Sequence, residues 1–469
     1  MSRLALALLS LSVVLAARSA SAQEAAAPDA NGSTAKPMSL ADALAYAHAH
    51  QPAIKAALAS IDAEKAQADV PRGAWLPTVG VTAQIYGATA NNTTASYLST
   101  PFVDLPRIGG TRSEDASHAD WKPYASTVAA AAITQEIFDF GRIAAHSAAA
   151  DALVDVRIRD AEAARLDVDF DVEEAFFAER AANGVFAAAR DAYERAKVHR
   201  DLAKAGVGSG LRSPIELTRA EADLQRFDNA RLRAQGGVEI AQSVLGAAIG
   251  APETKVDAAN APQPAELPTM NAAIERASAR DPRLLAVIAN LKARELATKA
   301  TRSELRPDIS ATAAFSGRAG GADPSSGFTA DYSGLLPTVP NWDAGLVFSW
   351  PLFDGTTDAR VSAAKAQEQV ARDRISLEKQ RVIAQVEQAY VEVDIARRTL
   401  PGLQAEIQAA IANYAQADAR FKAGLGTSVE LADAEALRTD AEIQLARGVF
   451  DLARARAAFG RVIAEGIQE

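Results

Sequence analysis

The chain has 469 residues, a formal net charge of −10 at pH 7 and no cysteine. Without cysteine it can form no disulfide, no thiolate metal site and no cysteine nucleophile. Its 49 Lys and Arg residues are outnumbered by 59 Asp and Glu residues, which argues against a nucleic-acid-binding protein, because such proteins carry a basic patch. Much of the apolar content is Ala, the best helix former, and this favours closely packed helices over a bulky globular core.

Residues 1–22 have the pattern of a secretory signal peptide: Arg3 gives a charged start, an apolar run follows from Leu4 to Ala16, and residues 20–22 form a small-residue cleavage site. Residues 23–37 are small, polar and contain proline, which predicts a flexible leader. No later stretch approaches the ~18 consecutive apolar residues of a transmembrane helix. An exported chain with this pattern is expected to be periplasmic, secreted or held in an outer membrane by β-strands.

The remaining sequence contains an internal duplication, and a duplication of this length decides the fold. Short landmarks recur in the same order: Lys204–Gly208 is matched by Lys422–Gly426, and Ala220–Ala222 by Ala434–Ala436. Each half is predicted to contain a helix, two strands around a Gly-, Ser- and Asn-rich loop, a long helix, a turn with glycine and a returning helix. A stretch at 251–268 with four prolines separates the halves and predicts a linker.

The predicted boundaries follow from this layout. The first repeat spans residues 38–250, with a helix at 39–70, a β-hairpin at about 76–138 and long helices at about 142–205 and 214–250. The second repeat spans residues 269–469, with a helix at 269–304, a β-hairpin at about 306–353 and long helices at about 356–423 and 428–464.

The predicted strands alternate apolar with small or polar residues. The clearest runs from Trp342 to Trp350, where alternate residues are Trp, Ala, Leu, Phe and Trp; at ~3.3 Å per residue the two tryptophans lie about 26 Å apart. That distance suits the apolar band of an outer-membrane barrel, whose rims are aromatic, although a soluble antiparallel sheet alternates in the same way. Four strands are too few to close a barrel, and open edges cannot lie in lipid. A membrane role therefore requires several chains to pool their strands.

The long helices at 142–205 and 356–423 would each reach about 100 Å if continuous, at ~1.5 Å per residue. In the second, large residues recur every seven positions from Val386 to Phe421, with mostly Ala three positions further on, which predicts a coiled-coil seam. Pro401 interrupts this helix, and Asn183-Gly184 marks the corresponding point in the first repeat. The alternative is a pair of shorter helices joined by a tight turn.

The duplicated layout, the signal peptide, the Phe-Asp turns at 138–141 and 353–355 and the Ala-Gly-x-Gly segments resemble the TolC family of outer-membrane efflux and secretion ducts. The resemblance covers residues 38–466. It implies a mainly α fold with a small transmembrane β part, in a homotrimer that pools twelve strands into one barrel and twelve helices into a periplasmic tunnel. The implied location is the outer membrane, with the tunnel in the periplasm.

The same resemblance implies an exit duct of a tripartite efflux pump or a type I secretion system. The implied partners are a periplasmic adaptor protein, an inner-membrane transporter of RND or ABC type, and outer-membrane lipid. The sequence has no nucleotide-binding loop, zinc-protease motif or nucleophile elbow, so we expect no enzyme activity, cofactor or metal, and no binding to nucleic acid. The rival class is a periplasmic coiled-coil adaptor, which lacks the strand hairpins and has a single helical hairpin.

The family resemblance also assigns candidate site residues at the periplasmic end of the tunnel. The helix-tip turns, where an adaptor would dock, are assigned to Gly206 and Gly208, with Gly210 beside them at the first tip, and to Gly424 and Gly426 at the second. An acidic entrance constriction is assigned to Glu430 and Asp433, which three-residue spacing places on one face of a helix; the alternative is that acidic residues merely suit the first turn of a helix. Candidates for links that close the entrance are Arg212, Glu216 and Arg219, and the aromatic girdle of the barrel is assigned to Trp342 and Trp350.

Overall fold

The structure is a computed structural model that describes residues 36–89, 123–259, 266–320 and 339–465. The predicted signal peptide, most of the predicted leader and the last four residues of the second repeat lie outside the described residues. Within the described ranges, no helix combines the length and the apolar character that a membrane crossing needs.

The fold is mainly helical with a small sheet, as predicted. The elements are, in chain order, β1 (Lys36–Met38), α1 (Leu40–His50), α2 (Pro52–Asp69), a 3-10 turn (Pro71–Trp75), β2 (Thr78–Thr89), β3 (Pro123–Phe138), α3 (Arg142–Gly208), α4 (Pro214–Ala248), β4 (Val256–Ala258), α5 (Met270–Arg280), α6 (Pro282–Ser303), β5 (Asp308–Gly320), β6 (Val339–Ser349), α7 (Gly355–Lys422) and α8 (Ser428–Val462).

Proline divides the first helical segment of each repeat, where one helix was predicted at 39–70 and one at 269–304. The residue before a proline is disfavoured in the helical region, and both Gln51 and Asp281 lie outside that region, with ψ of 122° and 118°. Pro52 and Pro282 then start new helices at the position that proline tolerates best. The prediction of a single helix was wrong at both sites for this reason.

The long helices α3 and α7 are continuous, so the alternative of shorter helices joined by a turn is wrong. Asn183 and Gly184 lie inside α3, and Pro401 lies inside α7. The predicted seam of α7 is confirmed by burial: every residue of the seven-residue repeat is buried or half-buried, and Val386 and Val393 are fully buried. Much of this seam is Ala, which allows the close approach of helices that the composition predicted.

The helices form four side-by-side columns, two of which consist of stacked helices. The start of α2 lies at the end of α4, where the Gln51 side chain donates to the carbonyl of Ala248 at 2.7 Å. The start of α6 lies at the end of α8, where Asp167 of α3 accepts from both Arg283 and Arg461. Since α3 packs on α2, α4, α6 and α8, and α7 packs on α6 and α8, the order of columns is α4/α2, α3, α8/α6, α7.

The sheet is antiparallel throughout, in the order β2-β3-β5-β6. One row of the register runs Val81, Ala131, Phe315, Trp342 across the four strands. The side of the sheet that carries this row is apolar and exposed, with Trp342 73% exposed. The opposite side carries small and polar residues such as Thr312 and Ser316. The alternation predicted for single strands therefore adds up to one continuous apolar face.

Two very short strands form a second, parallel sheet that the sequence did not predict. Lys36–Met38 pairs with Val256–Ala258, so the end of the predicted flexible leader and the middle of the predicted linker at 251–268 are joined. Strands of three residues show no periodicity, and this pairing spans some 220 residues of sequence. Glu179 of α3 fixes β4 by accepting from the backbone N–H of Ala258 at 3.1 Å.

Candidate functional site

The helix-tip turns of the two repeats have the same backbone geometry. Gly210 and Gly424 have φ of +72° and +73°, in the left-handed region that glycine adopts at least cost. The N–H of Leu211 donates to the carbonyl of Gly206, and the N–H of Leu425 donates to the carbonyl of Arg420, each at 2.9 Å. This bond from the second residue after the helix, together with the left-handed glycine, is a Schellman motif, and it ends both α3 and α7.

Of the three glycines predicted at the first tip, Gly206 and Gly208 lie in the last turn of α3, and Gly210 is the turn residue. The similar Lys-Ala-Gly-x-Gly segments led to that assignment, but the residue equivalent to Gly424 is Gly210. The N-caps of the returning helices locate the two turns in the sequence more reliably than the glycines do. Ser213 and Thr427 are the N-cap residues of α4 and α8, and each lies three positions after the turn glycine.

Gly206 has a different role, which is to admit the side chain of Arg212. A Cβ at position 206 would lie 2.6 Å from the Cδ atom of Arg212. The guanidinium group donates to Glu216 at 2.9 Å and to the carbonyl of Phe421 at 2.8 Å, and it lies 3.8 Å from the centre of the Phe421 ring. Arg212 thus ties the first tip to α7 of the same chain. Its partners among the described residues are Glu216 and Phe421.

Glu430 and Asp433 both lie on the exposed side of the first turns of α8. Leu431 and Ala434, the residue directly after each of them, are buried. Thr427 caps the helix by accepting from the N–H of Glu430 at 3.2 Å. Both carboxylate side chains are therefore exposed to solvent within the chain.

Arg420 is a tip residue that the sequence analysis missed. It lies in the last turn of α7, ten positions before Glu430, and the Schellman turn brings its Nε atom to 4.0 Å from Glu430 Oε2. It also donates to the carbonyl of Leu425 at 3.3 Å. Only the fold of the turn reveals this pairing, because no helical spacing connects the two positions.

Two exposed leucines at the tips were also missed. Leu211 is 84% exposed and Leu425 is 75% exposed, and they occupy equivalent positions in the two Schellman motifs. The apolar residue at this position commonly packs against its own helix, whereas here both side chains face solvent. The sequence signal was available: each is the apolar residue directly after a turn glycine.

The predicted girdle residues lie at the two ends of the apolar sheet face. Trp342 is near the start of β6, and Trp350 directly follows its last residue. Both are largely exposed, and the Trp350 ring contacts Phe348 edge-on with ring centres 6.5 Å apart. Among the residues that the structure describes, no group of three or more His, Asp or Glu side chains is arranged to hold a metal ion.

Comparison with known proteins identifies the family. The model of the family described as outer membrane efflux protein matches residues 43–251 and 273–464, which is well over half of the chain. A search of curated protein sequences gives no match.

The fold matches solved outer-membrane channels at low sequence identity. The channel OprN is 20% identical, with 91% of this chain and 90% of that chain covered and a TM-score of 0.67. CmeC from Campylobacter jejuni is 17% identical, with 92% and 86% covered and a TM-score of 0.69. MtrE from Neisseria gonorrhoeae, solved in an open state, is 18% identical, with 92% and 89% covered and a TM-score of 0.66. The chain belongs to the outer membrane efflux protein family, and it is an outer-membrane exit duct for efflux rather than a periplasmic adaptor.

Proposed function

We propose that three copies of this chain form one duct, with twelve pooled strands in the outer membrane and twelve helical columns around a periplasmic tunnel. The observation that carries the proposal is the four-stranded sheet. Its apolar face is exposed across all four strands, and its edge strands β2 and β6 each pair on one side only within the described sheet.

The sheet edges require a partner in lipid. Unpaired N–H and C=O groups are costly in the bilayer core, so spanning strands must form a closed barrel. Pairing β6 of one copy with β2 of the next closes the sheet without any new element. Three copies give twelve strands, an even number within the range of outer-membrane barrels.

The outer helical columns support the same assembly. Exposed large apolar residues follow both of them: Leu58, Leu232, Ile240 and Val244 on α2 and α4, and Val370, Leu377, Val391 and Ile395 on α7. A contiguous exposed apolar surface usually marks an interface. Joining α7 of one copy to the α4/α2 column of the next would cover both sets.

The entrance of the proposed tunnel is formed by the tips. Glu430 and Asp433 from three chains would place six carboxylates around it, and rings of acidic side chains favour cations. Since Arg212 is bound within its own chain, Arg219 is the better candidate for a closing link. Arg219 is exposed and has no ion-pair partner among the described residues, so it is free to reach an acidic residue of a neighbouring chain.

The tips also offer a docking surface for a periplasmic adaptor, through the turns and the exposed Leu211 and Leu425. An inner-membrane transporter of RND or ABC type would supply the energy, and the duct would conduct passively without catalysis or a cofactor. The chain would thus complete a tripartite pump or a type I secretion system.

The assembly is tested by purifying the protein from isolated outer membranes and measuring its mass in detergent by native mass spectrometry. The expected result is a trimer that dissociates on heating and forms cation-selective channels in planar lipid bilayers. Recovery of the protein as a soluble monomer after osmotic shock would contradict the proposal.

A further inference from the structure

The end of the apolar sheet face that lies nearest the helices is aromatic. Phe138, Ile309 and Phe348 pair in one row across β3, β5 and β6. On β5 and β6 this row lies six residues from the paired Phe315 and Trp342. An even spacing keeps both rows on the same face, and at ~3.3 Å per residue they are about 20 Å apart. Since the apolar band of an outer-membrane barrel is about 25 Å tall, the row of Phe348 lies near the periplasmic edge of that band.

Phe140 extends the aromatic edge beyond the end of β3. Its ring packs edge-on against that of Phe138, with the ring centres 4.7 Å apart, and both side chains are exposed. Phe140 has a φ of +52°, in the left-handed region that residues with a Cβ atom rarely adopt. Backbone strain of this kind is found disproportionately at ligand sites. Here it places an aromatic ring at the membrane boundary, at a position where glycine would suit the backbone better.

Arg306 lies directly beside this pair of rings. Its Nη1 atom donates to the carbonyl of Phe140 at 2.9 Å, and its side chain is exposed. Arg306 precedes Ile309 by three residues, which is about 10 Å of extended chain. The guanidinium group therefore lies just outside the apolar band, at the level of the polar headgroups of a bilayer.

The charge of Arg306 is not balanced by a carboxylate in the part of the chain that the structure describes. By contrast, Arg142 at the same end of the sheet pairs with Glu136 at 3.2 Å. The bond to the Phe140 carbonyl uses one of the five N–H groups of the guanidinium. The others can bind an anion, and a planar guanidinium matches the paired oxygens of a phosphate group.

The start of α3 does not itself supply an anion site at this junction. Asp139 accepts hydrogen bonds from the N–H groups of Gly141 and Ile143, so a carboxylate already occupies the first turn of the helix. Recognition of an anion here therefore depends on the side chain of Arg306.

The duplication shows that only one of the two junctions has these groups. The sequence Leu76-Pro77 is the first-repeat counterpart of Arg306-Pro307, and Leu76 is an exposed apolar residue. The counterpart of Phe140 in the second repeat is Gly355, which follows the same Phe-Asp pair. The second junction thus lacks both the guanidinium and the ring, which gives one candidate site per chain.

We propose that Arg306 and the rings of Phe138 and Phe140 bind one phospholipid of the periplasmic leaflet of the outer membrane. The guanidinium binds the phosphodiester group, and the two rings contact the adjoining part of the acyl chains. Because every glycerophospholipid has this phosphodiester, the site recognises the phosphate and not the rest of the headgroup. This inference rests on the proposed duct, in which three chains hold three such lipids.

The test counts bound lipids on the intact trimer by native mass spectrometry. The detergent-purified trimer is incubated with dioleoyl phosphatidylglycerol or with dioleoylglycerol, which has the same acyl chains without the phosphate. We expect up to three phosphatidylglycerol molecules per trimer and much weaker binding of dioleoylglycerol. Arg306→Gln should lower the affinity for phosphatidylglycerol by roughly tenfold or more, because charge-assisted hydrogen bonds are lost.

Two further variants control for folding and for charge. Phe140→Gly suits the left-handed backbone and should keep the fold, but it removes a ring and should lower the affinity severalfold. Arg360→Gln removes an exposed guanidinium near the start of α7 that pairs with Glu304 at 3.5 Å, and it should bind phosphatidylglycerol as the unmodified protein does.

The outcomes separate this inference from the proposed function. An unchanged affinity in Arg306→Gln or in Phe140→Gly would overturn the lipid site, as would displacement of the lipid by an excess of inorganic phosphate, which would indicate a simple anion site. The same spectra report the mass of the assembly. Trimers that bind the lipid independently of Arg306 would contradict the lipid site alone, whereas an absence of trimers would contradict the proposed duct and the lipid site together.

Discussion

Ala464 has, at the end of α8, the left-handed backbone conformation that Gly250 has at the end of α4. The φ angles are +53° and +85°, and the two positions are equivalent in the duplication. In both, the next residue donates its N–H to the carbonyl of a helix glycine at 2.8 Å, Gly460 in one repeat and Gly246 in the other. A residue with a Cβ atom adopts this conformation at a cost of roughly 1–2 kcal/mol. The second repeat therefore contains a strain that the first avoids.

Replacing Ala464 with Gly should relieve that strain. We expect the Ala464→Gly variant to be more stable by about 1 kcal/mol, since part of the gain is offset by the greater freedom of Gly in the unfolded chain. The measurement is the midpoint of urea unfolding of the detergent-solubilised protein. Gly250→Ala is the matched control and should lose stability, because its Cβ would also lie 3.0 Å from Gln51 backbone atoms. An Ala464→Gly variant with unchanged stability would show that the strain is absorbed elsewhere.

The second prediction concerns the dependence of stability on pH through Glu179. Burial raises the pKa of Glu179 to about 7, and the neighbouring Asp257 carboxyl also raises it. Between pH 4.5 and 7 the folded protein then binds more protons at this site than the unfolded chain does. Stability contributed here is complete below pH 4.5 and is lost as the pH rises through 7. The loss is on the order of 3 kcal/mol.

Glu179→Gln tests this, because an amide retains an acceptor for the Ala258 N–H and does not ionise. Thermal unfolding followed by circular dichroism at pH 5 and pH 8 should show a smaller loss of stability at pH 8 for the variant than for the unmodified protein. Glu194→Gln, an exposed change on the same helix, should behave like the unmodified protein. Equal pH dependence in all three proteins would mean that the pKa of Glu179 is the same in the folded and the unfolded state.

Local periodicity was enough to predict most of the helices. It was not enough at the helix tips, where similar segments of the two repeats adopt different backbone conformations. The seam of α7 could be predicted because the buried residues of a coiled coil recur every seven positions, as Val386 and Val393 do. The first tip was predicted at Gly206, Gly208 and Gly210, but the segment at 204–208 was aligned with 422–426 because the two have nearly the same sequence. Only the backbone conformation shows that Gly210 is the residue that ends the helix.

Contacts between distant segments left no local signal. Arg195 and Glu435 are 240 positions apart, and each alone looks like an ordinary charge on a helix. Glu435 was noticed only as a landmark of the duplication, whose exposed counterpart Glu221 gives no hint of burial. Charged residues that pair across helices depend on the tertiary arrangement, so the ion pair of Arg195 with Glu435 could not be predicted from the sequence. Glu430 and Asp433 were assigned from the family resemblance, and their role stays a prediction.

The third prediction separates Arg212 from Arg219. Arg219→Ser should raise single-channel conductance if Arg219 closes the entrance through an acidic residue of a neighbouring chain. Arg212→Ser should leave conductance unchanged, because the bonds to Glu216 and to Phe421 lie within one chain. It should instead speed hydrogen exchange at the tip residues 205–215, since losing these bonds destabilises the turn. Unchanged conductance in both variants would remove Arg219 from the closing mechanism.

The last prediction concerns ion selectivity at Glu430 and Asp433. Neutralising both with Glu430→Gln and Asp433→Asn should lower the ratio of cation to anion permeability, measured as the reversal potential under a salt gradient. The effect should be large at 0.01 M salt, where charges act over ~30 Å, and small at 1 M, where they act over ~3 Å. Asp440→Asn, an exposed change further along α8, is the control.

If the two acids serve only the helix dipole, the double variant will lose stability at the start of α8 and keep its selectivity, because the dipole contribution is confined to the first turn. A reversal potential that falls without a loss of helix stability would instead place the carboxylates in the path of the ions.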